Sequence, residues 1–194
     1  MNRSLLDRLV SAVGAVLGVV LLAGAGLLFY AHGYVHGQVS DQLTQQQIVF
    51  PAAGSKGLTS LPPADQAAIA PYAGQTMETG AQAEAFADHY IKVHLAEVAG
   101  GQTYSQVSAK ALANPSDQQL AGQVQTLFRG ETLRGLLLNA YAFDTMASVA
   151  LVAAWICLVA GVVLLVLAVL GVLHARRALA TALPSPAAQR VRVA

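Results

Sequence analysis

Two uninterrupted apolar segments, 9–31 and 146–173, bracket the more polar stretch 32–145. Each is long enough to cross a bilayer, because about 20 helical residues at roughly 1.5 Å each span the ~30 Å hydrocarbon layer. Neither contains Asp, Glu, Lys, Arg or His. Lipid offers the backbone no hydrogen bonds, so both segments must satisfy their own as helices. The pattern predicts an all-α chain: two transmembrane helices carrying an extracytoplasmic helical-bundle insert. In order these are a cytoplasmic N-terminus (1–8), transmembrane helix 1 (9–31), the extracytoplasmic helical domain (32–145), transmembrane helix 2 (146–173) and a basic cytoplasmic tail (174–194).

Charge sets the expected orientation. The two ends carry Arg3, Arg8, Arg176, Arg177, Arg190 and Arg192 against Asp7, six basic against one acidic, net +5. The insert carries five basic residues against nine acidic ones, net −4. Cytoplasmic flanks of a span concentrate Lys and Arg, so both termini are expected in the cytoplasm of a multi-pass plasma-membrane protein. Arg129 and Arg134 run against this trend. Phe29, Tyr30, Tyr34, Tyr141 and Phe143 agree with it as one outer aromatic belt. Leu9 to Tyr30 is longer than the 7–15-residue apolar core of a secretory signal, so an uncleaved signal anchor is expected. Cys157 is the only cysteine, which leaves packing rather than disulfides to hold the insert.

Helical periodicity continues past the first span through Val35, Val39 and Leu43, and ends near Gln47 because Phe50 precedes Pro51. Ala52 to Leu61 reads as a loop. Pro62-Pro63-Ala64-Asp65 opens a short helix that stops before Pro71. Gly80 to Val98 reads as a helix ended by Gly100-Gly101, and Thr103 with Gln106 as a capping box. Asn114 is the expected cap, with Pro115 at the first position, of a helix bearing Leu120, Val124, Leu127 and Phe128 that runs toward the second span. Gly130 and Gly135 are its expected weak points. The tail after Ala180 reads as disordered.

Chemistry-bearing patterns are few. His32 and His36 share a helix face at i,i+4, the spacing that grips a transition metal, and His89 and His94 with Glu84, Asp88 and Glu97 offer further ligands. A membrane-proximal metal or ligand sensor is therefore the alternative function. Amphipathic edge packing explains the same histidines, and no H-E-x-x-H or cysteine cluster accompanies them. Asp88–Lys92 and Glu131–Arg134 have the spacing of helix-surface ion pairs. The serines Ser40, Ser60, Ser105, Ser108 and Ser116 lie in no G-x-S-x-G or S-x-x-K setting, and no phosphate-cradling glycine loop occurs. No enzyme activity, cofactor or nucleic-acid partner is expected. Within the spans, Gly14-x-x-x-Gly18 and Ala153, Cys157 and Gly161 form small-residue ridges suited to a helix contact. Ser11, Ser148 and Cys157 are too weakly polar to line an aqueous path, which argues against a transporter or channel. A transmembrane sensor would need an output domain, for which residues 174–194 are too few.

The stretches Asp41–Pro51, Tyr72–Gln75, His94–Gly101 and Leu127–Asn139 resemble a family of uncharacterised two-span membrane proteins from high-GC actinobacteria. The resemblance covers most of the chain and implies no activity, ligand or catalytic residue. What remains is a non-enzymatic cell-envelope protein. Its insert is expected to bind another envelope component as an accessory subunit, with the lipid bilayer and a membrane protein or a second copy as partners. The small-residue stretch Ala52–Gly80 is the expected contact surface.

Overall fold

The computed structural model describes residues 3–182, with side chains from 5 to 177; of the tail read as disordered after Ala180, residues 181 and 182 are helical and the rest, with Arg190 and Arg192, lies outside the described residues. The architecture is all-α. Helix α1 spans Arg3–Gln45 and α7 spans Gln118–Ala182. Between them come α2 (Lys56–Thr59), α3 (Pro63–Ile69) with a 3₁₀ turn at Ala70–Tyr72, α4 (Gly80–Phe86), α5 (Lys92–Val98) and α6 (Tyr104–Ala113). Among the described residues there is no strand, only an isolated antiparallel bridge between Val49 and Thr76. The chain divides into two compact units, Met1–His32 with Val149–Ala194, and Gly33–Ser148.

The first unit is an antiparallel helix pair. The most apolar 18-residue windows of the two long helices have mean hydropathies of 2.5 and 3.2. In each case 11 % of the window is buried, whereas a soluble protein's core helix would be mostly buried. Val10, Leu27, Val152 and Ile156 all point outward. Both helices are thus long and apolar enough to cross a membrane.

Small residues recur every seventh position on the inner faces: Ser11, Gly18 and Ala25 on α1, and Ala154, Gly161, Ala168 and Ala175 on α7, all buried. A seven-residue repeat keeps one seam facing its partner when helices wrap left-handed, and small side chains bring the backbones close. A Cβ on Gly161 would stand 3.0 Å from the Gly18 carbonyl oxygen. Gly14 and Gly18 therefore do mark a contact between the two long helices, as does Gly161. Ala153 and Cys157 are only half-buried; Ala154 is the seam residue. Phe29 closes one end edge-on against Trp155, ring centroids 5.3 Å apart.

The second unit has its own core. Val39 and Leu43 of α1 and Leu127 and Leu137 of α7 pack with Phe50, Ile69, Met77, Phe86, Leu95 and Val107. Phe50, directly ahead of Pro51, is 1 % exposed and donates its N–H to the Gln75 carbonyl at 2.9 Å. Met77 does the same to Ile48 at 2.8 Å, so two short extended runs pair without becoming strands.

Three details differ from the sequence reading. Ala52–Leu61 is not all loop, because α2 turns within it to bury Leu58. Gly80–Val98 is one helical run interrupted by a π-turn at Ala87–Ile91. Ala83, Ala87, Ile91, Leu95 and, just past its end, Ala99 are buried four residues apart, alongside the buried Gln82, Ala85 and Phe86. On an α-helix such a stripe drifts by roughly 40° per step, and the wider π-turn takes up that drift. Asn114 ends α6 rather than starting α7, since its side-chain amide donates back to the Lys110 carbonyl. Asp117 caps α7 instead, Oδ1 accepting from the N–H groups of Gln119 and Leu120 at 3.0 and 3.1 Å. Gly130 does not break α7; it lies against Leu95, where a Cβ would collide. The capping box at Thr103 and Gln106 is present, and a second forms at Thr79 and Gln82. Gly100 and Gly101 end α5 with φ of +57° and +78°, and the Gly101 N–H reaches the Ala96 carbonyl at 2.8 Å.

Candidate functional site

Within the 33–148 unit, α1 and α7 leave an open groove of about 620 Å³. Val39, Leu43 and Leu137 form its floor and belong to the core. One edge is a row of amides, Gln38, Gln42 and Gln46, spaced by four along α1. The other, on α7, is mainly apolar, with Leu133, Leu136 and Phe143 beside the amide of Asn139. Leu136 is 61 % and Phe143 56 % exposed. No charged side chain lines the groove. A trough of this kind suits a helix with an apolar ridge and neutral polar flanks, the usual helix-in-groove mode. The α7 edge follows the i, i+3, i+4 pattern at Leu133, Leu136, Leu137 and Ala140. That was a readable signal; whether the face is covered or open was not.

His36, His89 and His94 each meet a partner outside the expected ligands. His36 Nδ1 faces Asp144 Oδ1 at 2.7 Å, and Asp144 Oδ2 accepts the Gly80 N–H at 3.1 Å. Asp144 thereby ties α7 to the start of α4, where a carboxylate also meets the positive end of the helix. His89 Nδ1 lies 2.8 Å from Asp65 Oδ1. His94 turns to the Tyr90 carbonyl at 2.8 Å, with its ring 4.4 Å from that of Tyr90. His32 belongs to the first unit. Among the described residues no group of three or more His, Cys, Asp and Glu is arranged to hold a metal ion.

Asp88 sits in the π-turn, and Arg134 Nη2 meets its Oδ1 at 2.7 Å. Helix spacing suggested Lys92 as its partner; the π-turn alters that spacing and α7 supplies Arg134. Glu131 adds the expected i,i+3 contact at 3.3 Å. The hydrogen bond to Asp88, reinforced by Glu131, raises the Arg134 pKa above its already high ordinary value, against a smaller opposing effect of burial. This cation is a brace between α7 and the π-turn.

The stretch Ala52–Gly80 is folded into the unit. Leu58, Leu61, Ile69 and Met77 are buried, and Gln66 Nε2 donates to the Leu61 carbonyl at 2.7 Å. No protein-family model, curated protein or solved structure matches this chain.

Proposed function

We propose that this is a non-enzymatic accessory subunit of a membrane complex. In this reading its 33–148 domain faces outward from the plasma membrane and binds a helix of another membrane protein in the α1–α7 groove. The exposed pair Leu133 and Leu136 carries the reading. Tyr34 and Phe143 suit the headgroup layer and need no protein partner. Leu136, however, precedes Met146 by ten residues on one helix, about 15 Å of rise. Leu133 is about 20 Å away on the same count. The polar layer of one leaflet is only roughly 5–8 Å deep, so lipid does not cover these leucines. The uncharged lining favours a neutral, apolar-faced helix continuous with a span of the partner.

A photo-crosslinking residue placed at Leu136 or Gln42, in the protein's native membrane, tests this. The expected adduct maps by mass spectrometry to a span-flanking helix of one other membrane protein. It should disappear in Leu133→Glu with Gln42 as the crosslinking site, while far-UV circular dichroism stays unchanged. A crosslinker at Glu84, away from the groove, should give no such adduct. Adducts only between copies of this chain, or none at all, overturn the reading.

A further inference from the structure

A second cleft, of about 370 Å³, opens in the helix pair of the first unit. Arg8 of α1 and Arg176 of α7 both line it, and the rest of its wall is almost wholly apolar, including Ala12, Ala15, Ala168 and Val172. No acidic residue lines it. We infer that this cleft holds one anionic phospholipid, its phosphate gripped between Arg8 and Arg176 and an acyl chain laid along the alanine trench.

The layout matches the two halves of such a molecule. Arg8 directly precedes the apolar stretch that begins at Leu9, and Arg176 follows its counterpart, which ends at Leu173, by three residues. Both guanidinium groups therefore stand at headgroup level while the trench lies at acyl-chain level. From Arg8 to Ala15 is seven residues of α1, about 10 Å of trench. Alanines at positions 12, 15 and 168 leave the space, and Leu165, Val169 and Val172 supply the walls. Guanidinium forks suit phosphate oxygens, and basic pockets between membrane helices are recognised sites for anionic headgroups. Two arginines from opposite helices would also tie the ends of the pair together when a lipid bridges them. This inference rests on the two-span reading but not on the partner groove.

The test uses the full-length protein, delipidated in mild detergent, with phosphatidylglycerol or phosphatidylcholine added back and bound lipid counted by native mass spectrometry. Phosphatidylglycerol should bind one per chain and in clear preference to phosphatidylcholine. Each headgroup-level arginine is worth about fivefold in affinity, so Arg8→Gln with Arg176→Gln should weaken binding about 25-fold. Ala15→Leu, which fills the trench and spares the charge, should weaken it too. Arg129→Gln, on α7 of the other unit, should change nothing. Equal binding of the two lipids, or full affinity in the arginine pair variant, overturns the proposal. Full affinity in Ala15→Leu, or displacement by millimolar inorganic phosphate, also overturns it by showing an anion site without a lipid trench. Circular dichroism of each variant separates lost binding from lost helix.

Discussion

The seam between the two long helices makes a sharp prediction at Gly18. A Cβ there would stand 2.8 Å from Leu165 Cγ and 3.1 Å from the Gly161 carbonyl oxygen. Ordinary carbon contacts begin near 3.5 Å, so Leu165 must leave its rotamer or the helices must part by about half an ångström. Overpacking of this kind costs about 1–3 kcal/mol. Alanine also gains about 1 kcal/mol of helix propensity over glycine, which partly masks the clash. Gly24 supplies the control, because nothing lies within 4 Å of a Cβ built there. Both substitutions share the propensity gain, so the difference between them isolates the clash. Gly18→Ala should be about 1–3 kcal/mol less stable than Gly24→Ala, and Gly18→Leu worse than either. Unfolding in mixed detergent micelles, followed by circular dichroism and by the fluorescence of the single tryptophan, Trp155 beside Phe29, gives these values. Stabilities of Gly18→Ala and Gly24→Ala within about 0.5 kcal/mol of each other would refute the close seam.

Two further predictions concern the 33–148 unit. Phe50→Ala removes a ring that is 1 % exposed and lies 5.2 Å from Phe86 and 5.3 Å from Tyr72. It should cost about 3–5 kcal/mol and lower the thermal midpoint in circular dichroism; a loss below about 1 kcal/mol would contradict the placement of Phe50 in the core. Asp144→Ala removes the acceptor for both His36 and the Gly80 N–H. It should cost about 1.5–3 kcal/mol and speed hydrogen exchange at the Gly80 amide, with Asp144→Asn recovering part of both. Unaltered exchange at Gly80 would show that the carboxylate does not hold α4.

The sequence by itself determined whatever depends on local pattern and length. Two charge-free stretches longer than a bilayer is thick could only be long apolar helices. Periodicity carried both past the apolar stretches, to Gln45 in α1 and back to Gln118 in α7. Helix α1 ended ahead of Phe50 and Pro51, Gly100 and Gly101 ended a helix, and Thr103 with Gln106 began one, since each acts within a few residues of itself. Four-residue spacing in the sequence picks out Ala153, Cys157 and Gly161, whereas the buried seam follows a seven-residue repeat through Ala154, Gly161, Ala168 and Ala175. Tertiary structure decided how competing local signals resolved. Asn114 and Asp117 are both good caps, and the choice went to Asp117 because the Asn114 amide was already used to close α6. The run from Gly80 to Val98 takes a π-turn at Ala87–Ile91 that keeps Ala83, Ala87, Ile91 and Leu95 in the core. Asp88 found Arg134, and His36 found Asp144 across 108 residues, contacts that no helical spacing encodes. Whether an apolar face is filled or left open depends on what the rest of the chain packs against it. For that reason the groove beside Leu136 and the cleft between Arg8 and Arg176 came into view only in three dimensions.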